Sequence, residues 1–210
     1  QHNYWRDPRS SLIDLTRLTT QLGLIALGAA VVIIAGGIDL STGSVIAFSG
    51  TICGSLLLLL APEAMLNNQP LDVSTIGVAI AGTLLVGVLI GSLHAWLITV
   101  IGLPPFVATL GTLVGLRSLS VAIVRSVSNA VIGGDSSQIN VPDKGFRFIA
   151  ESIWIPAVLL AVVAMAIWLL LSKTVTGRHL YALGGNEQAA RLSGIQTDRL
   201  KWLAYCISSV

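Results

Sequence analysis

The run from Val73 to Leu116, VSTIGVAIAGTLLVGVLIGSLHAWLITVIGLPPFVATLGTLVGL, holds no Asp, Glu, Lys or Arg. It is too long for one crossing of a bilayer, which takes about 20 apolar residues. Gly102-Leu103-Pro104-Pro105 must break it, because proline removes a backbone donor and clashes with the preceding turn. The run therefore predicts two membrane helices joined by a tight turn.

Working outward, Leu18 to Ile38, Val45 to Ala61 and Ser152 to Ser172 are also free of charge and long enough to span, and a further apolar helix starts near Trp202. The expected fold is an all-α polytopic transmembrane bundle with five full spans and the start of a sixth. The 210 residues are 54% hydrophobic and 10% charged, against about 25% charged in soluble chains, which excludes an ordinary soluble domain. The net charge of +2 comes from scattered residues without a basic stripe, so nucleic acid is not an expected partner and the lipid bilayer is. Cys53 and Cys206 lie in apolar runs, where cysteine behaves as a small hydrophobe. The chain opens on Gln1 rather than Met and ends inside an apolar run, so residues 1–210 read as one membrane domain incomplete at both ends.

Loop charge orients the spans. Residues 61–72 hold Glu63 and Asp72 without a basic residue, and 126–151 hold Lys144 and Arg147 against Asp135, Asp143 and Glu151. Residues 173–201 carry Lys173, Arg178, Arg191, Arg199 and Lys201, and basic short loops stay in the cytoplasm. Counting back places 126–151 outside, the Pro104-Pro105 turn inside, 61–72 outside and 36–44 toward the inside; only the weakly basic N-terminal segment departs from this.

Small residues at four-residue spacing, Thr83, Gly87, Gly91 and Ala95, with the shorter pairs Gly50 and Gly54, and Gly111 and Gly115, predict close helix packing. The competing reading is that glycine is simply common in membrane helices.

Three features carry possible chemistry. Gly36-Gly37-Ile38-Asp39-Leu40-Ser41-Thr42-Gly43-Ser44 places a carboxylate and three hydroxyls between two spans. A charge at membrane depth costs about 2.5–3.5 kcal/mol and needs a partner or a wet cavity. Asp39 or Ser41 capping the next helix, with the glycines forming the turn, answers that need, and a capped break bordering a transport pathway satisfies both readings. The second feature is 177–195, where Asn186 can cap a helix of about two turns, Glu187 opens it, Arg191 comes near its end and Gly194 stops it. So short a helix needs support; it is either an amphipathic segment on the membrane surface or a lever docked into a cytoplasmic partner. The third is His94 and Arg117 within spans: His94, beside Trp96, reads as an interfacial residue, and Arg117 either snorkels outward or faces the bundle interior. No G-x-x-x-x-G-K-[ST], H-E-x-x-H, G-x-S-x-G or Cys/His cluster occurs, so the chain does not read as an enzyme and no cofactor or metal is implied.

At Gly37-Ile38-Asp39-Leu40-Ser41, and at Tyr181-Ala182-Leu183-Gly184-Gly185-Asn186-Glu187 continuing through Ala189-Ala190-Arg191-Leu192-Ser193-Gly194-Ile195, the sequence resembles the ribose and xylose type permeases of ABC importers, a bacterial family that includes branched-chain amino acid permeases. Pro105-Phe106-Val107-Ala108-Thr109-Leu110-Gly111-Thr112 and Arg117 resemble the family's following span. The resemblance implies a multi-pass inner-membrane subunit that forms a homodimer or heterodimer and receives sugar from a periplasmic binding protein. A cytoplasmic ATPase would drive it through the loop at 173–201, with Gly184, Gly185, Asn186, Glu187, Ala189, Ala190, Arg191, Ser193 and Gly194 as the coupling residues. Gly37, Asp39, Ser41, Ser44 and Thr109, with Trp96, are the candidates for the pathway or helix break, since hydroxyl-rich cargo is handled by hydrogen bonds and stacking. The family's proteins are longer than this chain, and the loop 126–151 is individual to it. The other readings are a secondary transporter or channel using Asp39 as a proton or cation site, a branched-chain amino acid permease, and a noncatalytic membrane scaffold.

Overall fold

A computed structural model describes residues 8–134 and 138–210; the opening stretch from Gln1 and Asp135 of the outer loop lie outside the described residues. The described residues form α1 (Pro8–Ile34), α2 (Thr42–Leu60), α3 (Pro62–Leu66), α4 (Val73–Thr99), α5 (Pro105–Ile132), α6 (Lys144–Glu151), α7 (Trp154–Lys173), α8 (Val175–Gly185), α9 (Glu187–Leu192) and α10 (Thr197–Ser209). Five of them, α1, α2, α4, α5 and α7, are long and apolar enough to cross a membrane. The expected all-α polytopic bundle is the observed fold.

Helix boundaries follow from local chemistry. Gly36, at φ +78°, ends α1, with its amide on the Ile33 carbonyl and the Gly37 amide on Val32. The first span therefore stops at Ile34, four residues short of Ile38. Gly102 at φ +79° and Pro104-Pro105 make the predicted turn between α4 and α5, with Pro105 in the first turn of α5 where a missing amide costs nothing. The largest difference from the sequence reading is α5, which runs past Leu116, through Arg117 and Arg125, to Gly133 at φ +74°. Charge ends an apolar run but does not end a helix, because arginine is a good helix former.

Neighbour relations run α7, α1, α10, α4, α2, α5, each helix packing on the next. The stripe on α4 receives α10: a Cβ on Gly91 would lie 2.6 Å from the Cys206 Cα, and one on Gly87 2.6 Å from the Ser209 carbonyl oxygen. From the other side, a Cβ on Gly28 of α1 would lie 3.3 Å from the Ser208 Cα. Helix α10 is thus wedged between α1 and α4, where small residues permit backbone approach. The shorter pairs differ: Gly50, Gly111 and Gly115 have open space around them, and Gly54 meets only Ile139 of the connection between α5 and α6.

Two core clusters set the ends of the bundle. At the end bearing the basic loop, Val31, Val32, Ala35, Ala95, Ile98, Ala108, Ile167, Leu180, Leu183, Leu200, Ala204 and Tyr205 bring α1, α4, α5, α7, α8 and α10 together. At the opposite end, Leu57, Leu58, Met65, Leu71 and Ala79 pack with Phe146 and Ile139. Asp143 fastens that end: it caps α6 by accepting from the Phe146 amide at 2.5 Å and accepts from the Leu71 amide, 72 residues away, at 3.0 Å.

The Phe146 and Leu71 amides, with Gly145, hold the Asp143 carboxyl below its usual range against the opposing effect of burial. A depressed value means that the stabilisation persists through the ordinary aspartate range near pH ~3.9 and disappears as pH falls through the lower folded value. Hydrogen exchange should show the Leu71 and Phe146 amides protected at neutral pH and at pH ~4, and released only in stronger acid. Asp143→Asn should show faster exchange at both amides already at neutral pH; unchanged exchange would refute the clamp.

Candidate functional site

The break between α1 and α2 is a part-buried polar junction. Asp39 Oδ1 accepts from the Ser41 amide at 2.9 Å and the Ser41 hydroxyl at 2.6 Å, and its Oδ2 accepts from the Ser208 hydroxyl on α10 at 2.9 Å. Ser41 is the N-cap residue of α2, yet its side chain is turned back to Asp39, so the carboxylate organises the turn before the helix and does not cap its free amides. Ser44 donates its hydroxyl to the Ser41 carbonyl at 2.7 Å.

Two other helices complete the junction. Thr109, fully buried on α5, accepts from the Leu40 amide at 3.2 Å and lies 3.4 Å from the Ile38 carbonyl, while its hydroxyl has the Pro105 carbonyl at 3.0 Å. The Tyr205 hydroxyl of α10 reaches the same Ile38 carbonyl at 3.4 Å. Gly37 is required beneath it, since a Cβ there would lie 2.7 Å from the Tyr205 hydroxyl. Of the sequence candidates, the structure brings together Gly37, Asp39, Ser41, Ser44 and Thr109 in one place, each with its hydroxyl, carboxylate or backbone engaged by protein. Trp96 stands apart, 43% exposed on α4.

His94 is a correction. It is fully buried rather than interfacial, because α10 and α5 close over the C-terminal part of α4. Its Nε2 lies 2.6 Å from the Thr112 hydroxyl oxygen, which also lies 3.2 Å from the Ala108 carbonyl and 3.0 Å from the Thr109 carbonyl. Its ring lies 6.1 Å from that of Tyr205. Arg117 is exposed on this chain and makes no hydrogen bond or ion pair among the described residues. It stands about 18 Å along α5 from Pro105, at bilayer depth.

The basic loop carries the second half of the site. Thr174 turns the chain sharply from α7 into α8, accepting from the Gly177 amide at 3.1 Å. Gly185 ends α8, and Asn186 then caps α9 by accepting from the Ala189 amide at 3.0 Å. Glu187 opens α9, Ala190 is its buried residue, Ser193 follows it and Gly194 stops the chain at φ +81°. Helix α9 is anchored to α10 by an ion network: Glu187 takes Lys201 at 2.7 Å and Arg191 at 3.4 Å, while Arg191 also reaches Asp198 at 3.2 Å and Thr197 at 3.0 Å. Ala189, Gln188 and Leu192 remain exposed, Leu192 at 90%.

The two halves touch. A Cβ on Gly184 would collide with the Ile34 carbonyl oxygen, and one on Gly36 would lie 3.4 Å from the Gly184 Cα. The end of α8 therefore rests on the backbone at which α1 breaks. The basic loop reaches the break directly through Gly184, and α10, which begins in the loop, reaches it again through the Tyr205 and Ser208 side chains. Sequence reading missed Ser208 and Tyr205; both sit in the apolar run after Trp202, and only their hydroxyls marked them.

A family model described as branched-chain amino acid transport system permease component matches residues 11–210. A probable ABC transporter permease of Sinorhizobium fredii is 33% identical over 94% of this chain and 54% of its own length. A ribose import permease of Bacillus subtilis is 32% identical over 95% of this chain and 57% of its own, and a galactose/methyl galactoside import permease of Escherichia coli is 27% identical over 95% and 60%. The chain thus spans little more than half the length of the curated relatives it matches. No solved structure matches it.

Replacing Asp39 by alanine strands the Ser41 amide and the Ser208 hydroxyl, and leaving buried polar groups unmet costs about 1–3 kcal/mol each. Thermal unfolding in lipid nanodiscs should show that loss for Asp39→Ala and a smaller one for Asp39→Asn, which keeps an acceptor oxygen. An unaltered midpoint for Asp39→Ala would show that the carboxylate is not holding the junction.

Proposed function

This chain belongs to the family of branched-chain amino acid transport system permease components, and from that premise we propose that it is part of the membrane subunit of an ABC importer for a simple sugar of the ribose or xylose kind. The relatives named for ribose and galactose support sugar over amino acid as cargo. The subunit lies in a bacterial inner membrane, dimerises, receives cargo from a periplasmic binding protein and is driven by a cytoplasmic ATPase that engages the loop at 173–201.

The observation that carries this reading is the double contact between the basic loop and the helix break. A pore driven by an external motor needs a rigid handle joined to a deformable part of its wall. Helix α9 is the handle, presenting Gln188, Ala189 and Leu192 outward, and the ion network with α10 keeps it from fraying. The seven residues between α1 and α2 are the deformable part. The three hydrogen bonds that Asp39 accepts from protein groups weigh against its use as a proton or cation site in a secondary transporter.

Arg117 supports a pathway along α5. An unpaired guanidinium facing lipid at mid-bilayer is costly, so that flank of α5 faces water, cargo or a second subunit.

Charge reversal at Glu187 sets it against neither Arg191 nor Lys201 in a stabilising sense and should loosen α9. In proteoliposomes holding the binding protein and ATPase, Glu187→Lys should insert normally and lower ATP-driven sugar uptake about 5- to 150-fold, the span of a coupling free energy of about 1–3 kcal/mol. Unaltered uptake, or uptake that follows an ion gradient in the absence of ATP, would overturn the reading.

A further inference from the structure

We propose that α6 and the start of α7 form an interfacial anchor, with Phe148, Ile149 and Trp154 seated in the lipid leaflet at the bundle end opposite the basic loop. The proposal is independent of what the protein transports.

Helix α6 has two apolar directions. Phe146 points into the protein, packing with the cluster around Leu57, Leu58, Met65 and Leu71. Phe148 and Ile149 lie outside that cluster, 62% and 41% exposed. A helix of eight residues facing water would gain nothing from a phenyl ring and a branched alkyl chain on its open side.

Position decides what covers them. Only Ser152 and Ile153 separate α6 from Trp154, the first residue of the span α7. The open face is therefore about one helical turn from the edge of the hydrocarbon, within the headgroup layer into which interfacial helices sink by about 5–10 Å. Trp154 is 78% exposed at that level, where tryptophan is favoured because its ring is apolar and its N–H is polar. Lys144 is exposed one turn before Phe148 on the same side of the helix, placed for lipid phosphate while the ring goes deeper.

The Asp143 clamp explains how so short a helix is available for this. By capping α6 and bonding Leu71, it ties the helix to the α3–α4 connection, so its angle to the membrane is set before lipid contributes. A rigid brace of this kind resists tilting of α7, which has few buried residues of its own.

The test places a bimane fluorophore at Phe148→Cys and Ile149→Cys, with Gln69→Cys on the neighbouring exposed loop as the water-facing reference. Cys53 and Cys206 are first replaced by alanine, and the permease is held in nanodiscs of phosphatidylethanolamine and phosphatidylglycerol. The anchor predicts blue-shifted emission at 148 and 149. It also predicts several-fold stronger quenching there than at 69 by a lipid carrying a nitroxide near its headgroup, with the order reversed for aqueous iodide. Iodide quenching at 148 and 149 equal to that at 69 would overturn the proposal. So would water-exposed labels that become shielded only when a periplasmic binding protein is added, which would make the face a protein-docking site.

Discussion

A helix that stops within a packed bundle leaves carbonyls and amides in need of partners, and each buried group left unmet costs about 1–3 kcal/mol. The seven residues from Ala35 to Ser41 are such a stop, and the rest of the structure is arranged around meeting its needs. Gly36 and Gly37 fold two amides back onto Ile33 and Val32. Asp39 serves the Ser41 amide, Thr109 serves Leu40, and Tyr205 and Thr109 approach the Ile38 carbonyl. Beyond these local bonds, Thr109 of α5 and Tyr205 and Ser208 of α10 complete the bonding of the break.

That dependence runs in both directions. Because α10 supplies Ser208 and Tyr205 to the break and Lys201, Thr197 and Asp198 to α9, it is at once a wall of the junction and the mount of α9. Its own place is set by small residues: Gly28 on one side, Gly87 and Gly91 on the other, where any side chain would push it away. Gly184 adds a second route by resting directly on the Ile34 carbonyl and Gly36. A displacement of α9 is therefore resisted by short connections and close-packed backbone, and the interior is too dense to absorb it without movement at the break. This is the physical content of coupling in the proposed importer.

Much of this was legible in the sequence because it rests on local chemistry. The turn at Pro104-Pro105, the cap at Asn186 and the stop at Gly194 depend on residues within a few positions of one another. The stripe from Thr83 to Ala95 announced close packing, but its partner could not be read, since α10 lies more than 100 residues away. The same distance hid the role of Ser208 and Tyr205, which look like ordinary members of an apolar run until the fold sets them 169 and 167 residues from their partners. His94 was misplaced because sequence shows how near a residue stands to a helix end but not whether other helices cover it. The end of α5 was misplaced because arginine breaks hydropathy without breaking a helix. For Gly111 and Gly115, small residues at packing distance turned out to face open space on this chain, a pattern that spacing alone does not separate from a helix contact.

The central claim is that α9 and the helix break act as one unit through α10. A double-mutant cycle on the ratio of sugar imported to ATP hydrolysed tests it, with Arg191→Ala loosening α9 and Ser208→Ala cutting the bond to Asp39. If the two sites share one path, the double variant should be little worse than the poorer single variant, with a coupling energy in the range of about 0.5–3 kcal/mol. Losses that simply add would show that α9 and the break work separately, and would contradict the account.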